Sequence, residues 1–425
     1  MPNLTTDPGI IQITDEIRQK AKDGHYVVSD VICHKDGHEY QFVDVVMEGG
    51  GTLGVALVGY IHALEQAGIR FLGIGGSSVG AIVALIAYSC GDRLEARGEK
   101  LASIIGDMNI GEMVDGNYFA RKLSTLLGSK NASMRTLRII FNAMLALPQL
   151  FSKLGLNPGD KLYEWISDQL AQNGVSTLAD LNKLITTLPD GLTHRLTGEK
   201  ISSYDTSLRI VVADITTSTK VVFPDMAAMY WKEPDKVNPA SFSRASASIP
   251  AIFQPFTVGD ISHLMENVER WERLGSFSGT LPNKVSFADG GLLSNFPIDL
   301  FKRQGIPRAP TFGVSLGDKS RTAKNVDKVE QYAERLFNAL RHSADYDFIF
   351  KNPLYNHLIA YVSTGKYHWL DFNMSDEDKL GLFREGMIAG YKFLEEFDWE
   401  QYKELRQAEL VLSRVQSRRK KQDAE

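Results

Sequence analysis

The stretches "FVDVVMEGGGTLGVALVGYIHALEQAG" (residues 42–68) and "IRFLGIGGSSVGAIVALIAYS" (residues 69–89) follow one plan, back to back. Each starts with a β-branched and aromatic run, turns on clustered glycines, and continues as an apolar segment at helical spacing. Two such units in succession constrain the fold strongly. Neighbouring strands joined through a helix run parallel. Strands and helices this apolar need cover on every side. The pattern predicts an α/β fold: a mostly parallel central sheet flanked by helices.

Further strands are expected in "SLRIVVADITTSTKVVFP", "KVSFADGG" and "TFGVSL", and before residue 43 as a hairpin turning at Asp36-Gly37. Residues 92–200 read as mostly helical, with "NPGDKLYEWISDQLAQNG" the clearest amphipathic unit, and "SFSRASASIPAIFQPF" reads as a helix stopped by prolines. From residue 320 onward the chain reads as helical, closing on the basic "SRRKK". The expected organisation is an N-terminal extension (1–42), a main domain (43–318) and a C-terminal helical segment (319–425) packed on the same domain.

Composition narrows the function. The chain has 425 residues, 43% of them hydrophobic, and a net charge of -5, against the basic field that nucleic-acid binding requires. Two cysteines, Cys33 and Cys90, make no disulfide framework. Cys33, His34 and His38 flank the hairpin turn without a second ligand pair, so no metal is expected. The start lacks the basic-then-apolar pattern of a signal peptide, and no apolar run reaches the roughly 20 residues of a membrane span. The expectation is a cytoplasmic protein that meets a membrane only peripherally.

Gly49, Gly51 and Gly54 fit the G-x-G-x-x-G pattern of dinucleotide sites. That chemistry needs an acid at the end of the second strand for the ribose. The second strand instead ends in "GIGGSSVG", and Arg70 lies at its other end. Three successive glycines ahead of a helix suit a different role, in which the backbone N–H groups of Gly49, Gly50 and Gly51 converge on one oxygen as an oxyanion hole. A nucleophile elbow requires small residues two positions either side of its serine. Ser78 has Gly76 and Gly80 there; Ser77 has Gly75 and Val79. Ser78 is therefore the candidate nucleophile, and the Val79 N–H a further oxyanion donor.

A serine nucleophile needs a base. His342, His357 and His368 come late in the chain, outside any strand–loop setting, and read as helix-surface or interface residues. Asp289, at the end of a strand and followed by Gly290 and Gly291, is the better candidate. Taken in order, "EGGGTLG", "GSSVG" and "ADGGLLSNFPIDL", with "SRASASIPAIFQPF" between them, resemble the patatin-like phospholipases across about residues 43–318, with a weaker echo in "HWLDFNMSDEDKLGLFREG". The resemblance implies a serine–aspartate dyad hydrolase without metal or organic cofactor. Ser78 is then the nucleophile and Asp289 the proton acceptor, with Gly49–Gly51 forming the oxyanion turn and Gly54, Gly76, Gly80, Gly290 and Gly291 as motif glycines. Leu53 departs from the family pattern, which carries Arg or Lys there.

The implied substrate is a glycerophospholipid ester at a membrane surface. Alternatives are a neutral-lipid lipase or acyl thioesterase with the same dyad, or a membrane-binding regulatory protein with little turnover. Residues 116–159 hold basic residues and no acid, together with "LRIIFNAMLALPQLF", a candidate interfacial segment. An enzyme able to damage its host's membrane is expected to be restrained by a ligand or partner; the sequence leaves the oligomeric state open.

Overall fold

Strand Ile69–Ser77 is buried along its whole length, as a continuous apolar run in the middle of a covered sheet should be. In the computed structural model, which describes residues 4–118, 121–122, 152–202, 206–261, 268–320, 323, 325–327 and 329–422, this strand lies at the centre. The strands in chain order are β1 (Val31–Lys35), β2 (His38–Met47), β3 (Ile69–Ser77), β4 (Gly155–Asn157), β5 (Thr193–His194) and β6 (Ser207–Asp214). They continue as β7 (Thr219–Phe223), β8 (Ala251–Phe253), β9 (Phe256–Gly259), β10 (Lys284–Ala288), β11 (Thr311–Leu316) and β12 (Ile359–Val362). The helices are α1 (Pro8–Lys22), α2 (Gly54–Gln66), α3 (Val79–Ser89), α4 (Gly98–Asp107), α5 (Asp160–Gln172) and α6 (Leu178–Thr186). After them come α7 (Ala240–Ser246), α8 (Val268–Gly275), α9 (Val329–Lys351), α10 (Asp376–Glu396) and α11 (Trp399–Gln422).

The main sheet runs β12-β11-β2-β3-β6-β10-β9, with β1 paired to β2 and β5, and β7 paired to β6. From β12 to β6 every pairing on that path is parallel, whereas β10 meets β6 and β9 antiparallel. The sheet is thus mixed, with a parallel centre flanked by helices. Helices α2 and α3 are buried almost entirely, which explains why their sequences are apolar on all faces. The expected hairpin forms between β1 and β2, and Asp36 and Gly37 both take positive φ, as its tight turn requires.

Among the described residues the C-terminal part is mostly helical but also carries a strand. "IAYV" forms β12 and extends the sheet parallel to β11. At four residues it is too short for alternation to reveal. Helix α10 packs along α2 through Leu382, Phe383 and Met387, so the C-terminal segment closes the same core. Most of the acid-free stretch 116–159, including its candidate interfacial segment, lies outside the described residues. Among the described residues no helix is long and apolar enough to cross a membrane.

Sheet register sets the site. Ser77 pairs with Val211 on one side of β6, and Ala288 pairs with Ala213 on the other. One residue further along, Ser78 on its parallel strand and Asp289 on its antiparallel strand both leave the sheet level with Val212.

Candidate active site

Ser78 occupies the sharp turn between β3 and α3 with φ 52° and ψ -124°, a conformation rare for a residue with a side chain. Two features hold it there. Its N–H donates to Ser246 Oγ at 2.8 Å, and Ser246 in turn donates to the Val211 carbonyl at 2.6 Å, tying the elbow to β6 through α7. The flanking glycines admit close backbone: a Cβ on Gly76 would stand 2.6 Å from the Met47 carbonyl oxygen, and one on Gly80 2.4 Å from the same oxygen.

The Ser78 hydroxyl donates to Asp289 Oδ2 at 2.6 Å, and both residues are only 2 % exposed. The other carboxylate oxygen, Oδ1, accepts the Gly291 N–H at 2.8 Å, while the Asp289 N–H donates to the Ser248 carbonyl at 2.9 Å. Burial raises the pKa of the Asp289 carboxyl; the charge of Arg341, the Ser78 hydroxyl and the Gly291 N–H oppose that rise. The Ser77 hydroxyl, by contrast, is buried and has no hydrogen-bond partner among the described residues.

The glycine turn lies directly against this pair. A Cβ on Gly49 would approach Ser78 Cβ to 3.0 Å and Asn295 Oδ1 to 2.5 Å, so only glycine allows such proximity. The turn departs from the expected donor set in one respect. The Gly49 N–H donates to the Asn295 carbonyl at 2.9 Å, which removes it from the expected oxyanion donors. The N–H groups of Gly50, Gly51 and Val79 have no hydrogen-bond partner among the described residues. Gly54 opens α2 against Val79, and Gly290 packs under the Val211 carbonyl. Leu53 is buried, and the positive charge beside the turn comes from elsewhere in the chain: Arg341 on α9 donates to the Gly49 carbonyl at 2.8 Å.

Around this contact is a buried polar cluster that sequence reasoning missed. Asn295 donates through Nδ2 to Glu48 Oε1 at 2.8 Å and to the Gly49 carbonyl at 3.0 Å. Glu48 also accepts from Ser315 Oγ at 2.7 Å and from the Leu316 N–H at 2.6 Å, and burial raises its pKa. His342, expected as a helix-surface or interface residue, lies on the same helix as Arg341, half-buried, with Nδ1 3.5 Å from Glu48 Oε1. His357 is exposed, and His368 Nδ1 accepts the Leu370 N–H at 3.2 Å. The only signals available for this cluster were Asn295 inside "DGGLLSNFPIDL" and Glu48 just before the glycines.

The segment that carried the weaker resemblance also reaches the site. The Trp369 carbonyl accepts the Thr52 N–H at 2.8 Å, and Phe372 lines a pocket that begins at Ser78. This pocket encloses about 660 Å³, counting the part open to solvent. Ile82, Ile105, Met113, Leu162, Ile249 and Phe253 form much of its wall, and among the described residues no charged side chain lines it. Cys33 and His34 sit on the β1–β2 hairpin, where Cys33 contacts the Asp190 carbonyl and His34 lies 3.4 Å from Glu39.

The chain is 27% identical over 360 residues to the uncharacterized protein YqhO of Bacillus subtilis (strain 168), covering 84% of this chain and all of that one. Among solved structures it is similar to VipD from Legionella pneumophila, at 16% identity and a TM-score of 0.40, covering 87% of this chain and 70% of VipD. It is also similar to the type III effector protein ExoU, at 14% identity and a TM-score of 0.36, covering 88% of this chain and 57% of that one. The family model described as patatin-like phospholipase matches residues 45–302, which include the glycine turn, the elbow and the aspartate turn. The chain is thus a member of the patatin-like phospholipase family, whose members are lipid hydrolases.

Proposed function

We propose that this protein hydrolyses fatty-acyl esters of glycerophospholipids, with Ser78 as nucleophile and Asp289 as its proton acceptor. The observation that carries the reading is the 2.6 Å hydrogen bond from Ser78 Oγ to Asp289 Oδ2, with Ser78 lining an apolar pocket. Ser78 Oγ attacks the ester carbonyl carbon while its proton passes to Asp289. The carbonyl π electrons move onto oxygen, where the N–H groups of Gly50, Gly51 and Val79 receive the negative charge. Collapse of the tetrahedral intermediate expels the lysolipid alkoxide, which takes the proton back from Asp289 and leaves an acyl-serine. Water, deprotonated by the same carboxylate, then attacks the acyl-serine, releasing the fatty acid and restoring Ser78. The apolar wall suits an acyl chain.

That same wall, free of charged side chains among the described residues, also favours a second reading, in which the enzyme selects the acyl chain and tolerates neutral lipids or acyl thioesters. One experiment addresses both readings: mass spectrometry of products from mixed phospholipid vesicles, neutral-lipid emulsions and acyl-CoA, run beside Ser78→Ala and Asp289→Ala. Lysophospholipid and free fatty acid from the vesicles, absent with both variants, are expected. Release from the emulsions or acyl-CoA alone favours the second reading, and turnover that survives Ser78→Ala overturns both.

A further inference from the structure

A trans peptide directs its carbonyl and its N–H to opposite sides. In the Gly49–Gly50 peptide, the carbonyl is gripped by Arg341 Nη2 at 2.8 Å and Asn295 Nδ2 at 3.0 Å, and the N–H on the other side is that of Gly50. Arg341 is itself buried, at 6 % exposed. Its Nε donates to Asn295 Oδ1 at 3.1 Å, and its guanidinium lies 5.2 Å over the ring of Trp369, whose carbonyl holds Thr52 in the glycine turn. The guanidinium therefore touches the oxyanion turn, the segment after the aspartate turn and the segment covering both. One helical turn further along α9, Asp345 accepts from Ser294 Oγ and from the Phe296 N–H, each at 2.7 Å, and pins the helix to that segment.

We propose that Arg341 is a positioning residue for ester hydrolysis: by holding the Gly49 carbonyl, it fixes the peptide plane that turns the Gly50 N–H toward the developing oxyanion. The proposal rests on the Ser78–Asp289 reading above. It gives function to a residue beyond the stretch matched by the family model, which ends at residue 302. Flipping this peptide would direct a carbonyl oxygen at the oxyanion, so the orientation matters more than any single bond length. A guanidinium meets the geometry with a planar fork, which an ammonium group cannot reproduce. The charge of the guanidinium acts on Asp289 and on Glu48, and Glu48 in turn faces His342 and raises the pKa of Asp345. Its charge favours the ionised form of Asp289 as well.

The test compares full-length wild type with Arg341→Met, Arg341→Lys and Lys403→Met, a control that removes a cation bonded to Asp30 far along the C-terminal segment. Hydrolysis of p-nitrophenyl butyrate gives kcat and KM, and circular dichroism reports folding. Arg341→Met is expected to lower kcat by about 100-fold or more with KM within about twofold of wild type, the signature of a lost oxyanion donor. It should also move the acid limb of the rate profile to higher pH. Arg341→Lys, keeping charge but not the fork, is expected to lower kcat by about 10-fold with the acid limb near the wild-type position. Lys403→Met, which leaves Asp30 without this partner and so costs stability, should keep the wild-type kcat and KM.

A folded Arg341→Met with kcat within about threefold of wild type overturns the proposal, as does a loss confined to KM. If Arg341→Met does not fold, Arg341→Lys decides by the same criterion. Wild-type protein that neither turns over nor reacts with a fluorophosphonate at Ser78 overturns the dyad reading and this inference together; an active wild type with undiminished Arg341 variants removes this inference alone.

Discussion

Ser78 and Ser246 are joined by a 2.8 Å hydrogen bond in which the elbow's backbone N–H donates to a hydroxyl from another helix. Because Ser78 caps the N-terminus of α3, its N–H has no helical partner, and Ser246 satisfies it while bonding the Val211 carbonyl. Ser246→Ala strands two buried groups and should cost about 1–3 kcal/mol in stability. It should also lower kcat more than it changes KM, since the elbow loses its anchor. Urea denaturation and steady-state kinetics on one preparation check both.

The adjacent serines should behave in opposite ways. Ser78→Ala removes the proposed nucleophile and is expected to reduce hydrolysis by at least about 10⁴-fold while leaving the fold intact. Ser77→Ala removes a buried hydroxyl with no partner among the described residues, so stability should hold or rise, with kcat within a few fold. Parallel thermal melts and ester assays of the two variants test this, and loss of activity in Ser77→Ala would contradict the assignment of the elbow.

Asp289 must be ionised to accept a proton, and its carboxyl titrates above the ordinary value of 3.8 because it is buried. The acid limb of kcat/KM should therefore lie above the range of an exposed aspartate. The stability sign runs the other way from the usual surface carboxylate. With the folded pKa raised, the native state holds its proton longer, so this contribution is complete below the unfolded pKa and is lost as pH rises through the folded value. Asp289→Asn should accordingly abolish turnover while keeping or increasing the neutral-pH melting temperature, measured by calorimetry.

Leu162, buried on α5, lines the pocket away from the elbow's own helix. Leu162→Trp should fill acyl-chain space. Long-chain esters should lose kcat/KM by about 10-fold or more relative to butyrate esters, as overpacking of an apolar site implies. A panel of p-nitrophenyl esters of increasing chain length measures the ratio; an unchanged ratio would place the acyl chain elsewhere.

How much of this was legible depended on how local each feature is. The glycine turn, the elbow and the Asp289 turn each depend on a few consecutive residues whose steric demands appear in the sequence itself. The choice of Ser78 over Ser77 followed from Gly76 and Gly80 alone. The cluster of Glu48, Asn295 and Arg341 left no such trace, because its members lie far apart in sequence and meet only through β2, the segment after the aspartate turn and α9. Asn295 and Arg341 have no spacing that distinguishes them from residues on a loop and a helix surface. The Gly49 N–H counted as a donor because the glycines were read as a group, whereas the bond to the Asn295 carbonyl depends on a distant segment of the chain. Strand β12 was hidden by its length, and the antiparallel side of the sheet by the long connections that precede β10.

Ser78 and Asp289 come to the same rung of β6 from opposite ends, one on a strand running with it and one on a strand running against it. Lengthening or shortening either neighbour by a single residue would shift its catalytic atom by about 3.3 Å, more than the whole separation of the pair. The meeting of these two side chains therefore audits strand length: drift during divergence can reshape the surface loops freely, yet a one-residue insertion within β3 or β10 would part the proposed dyad while most of the hydrogen-bonded framework survived.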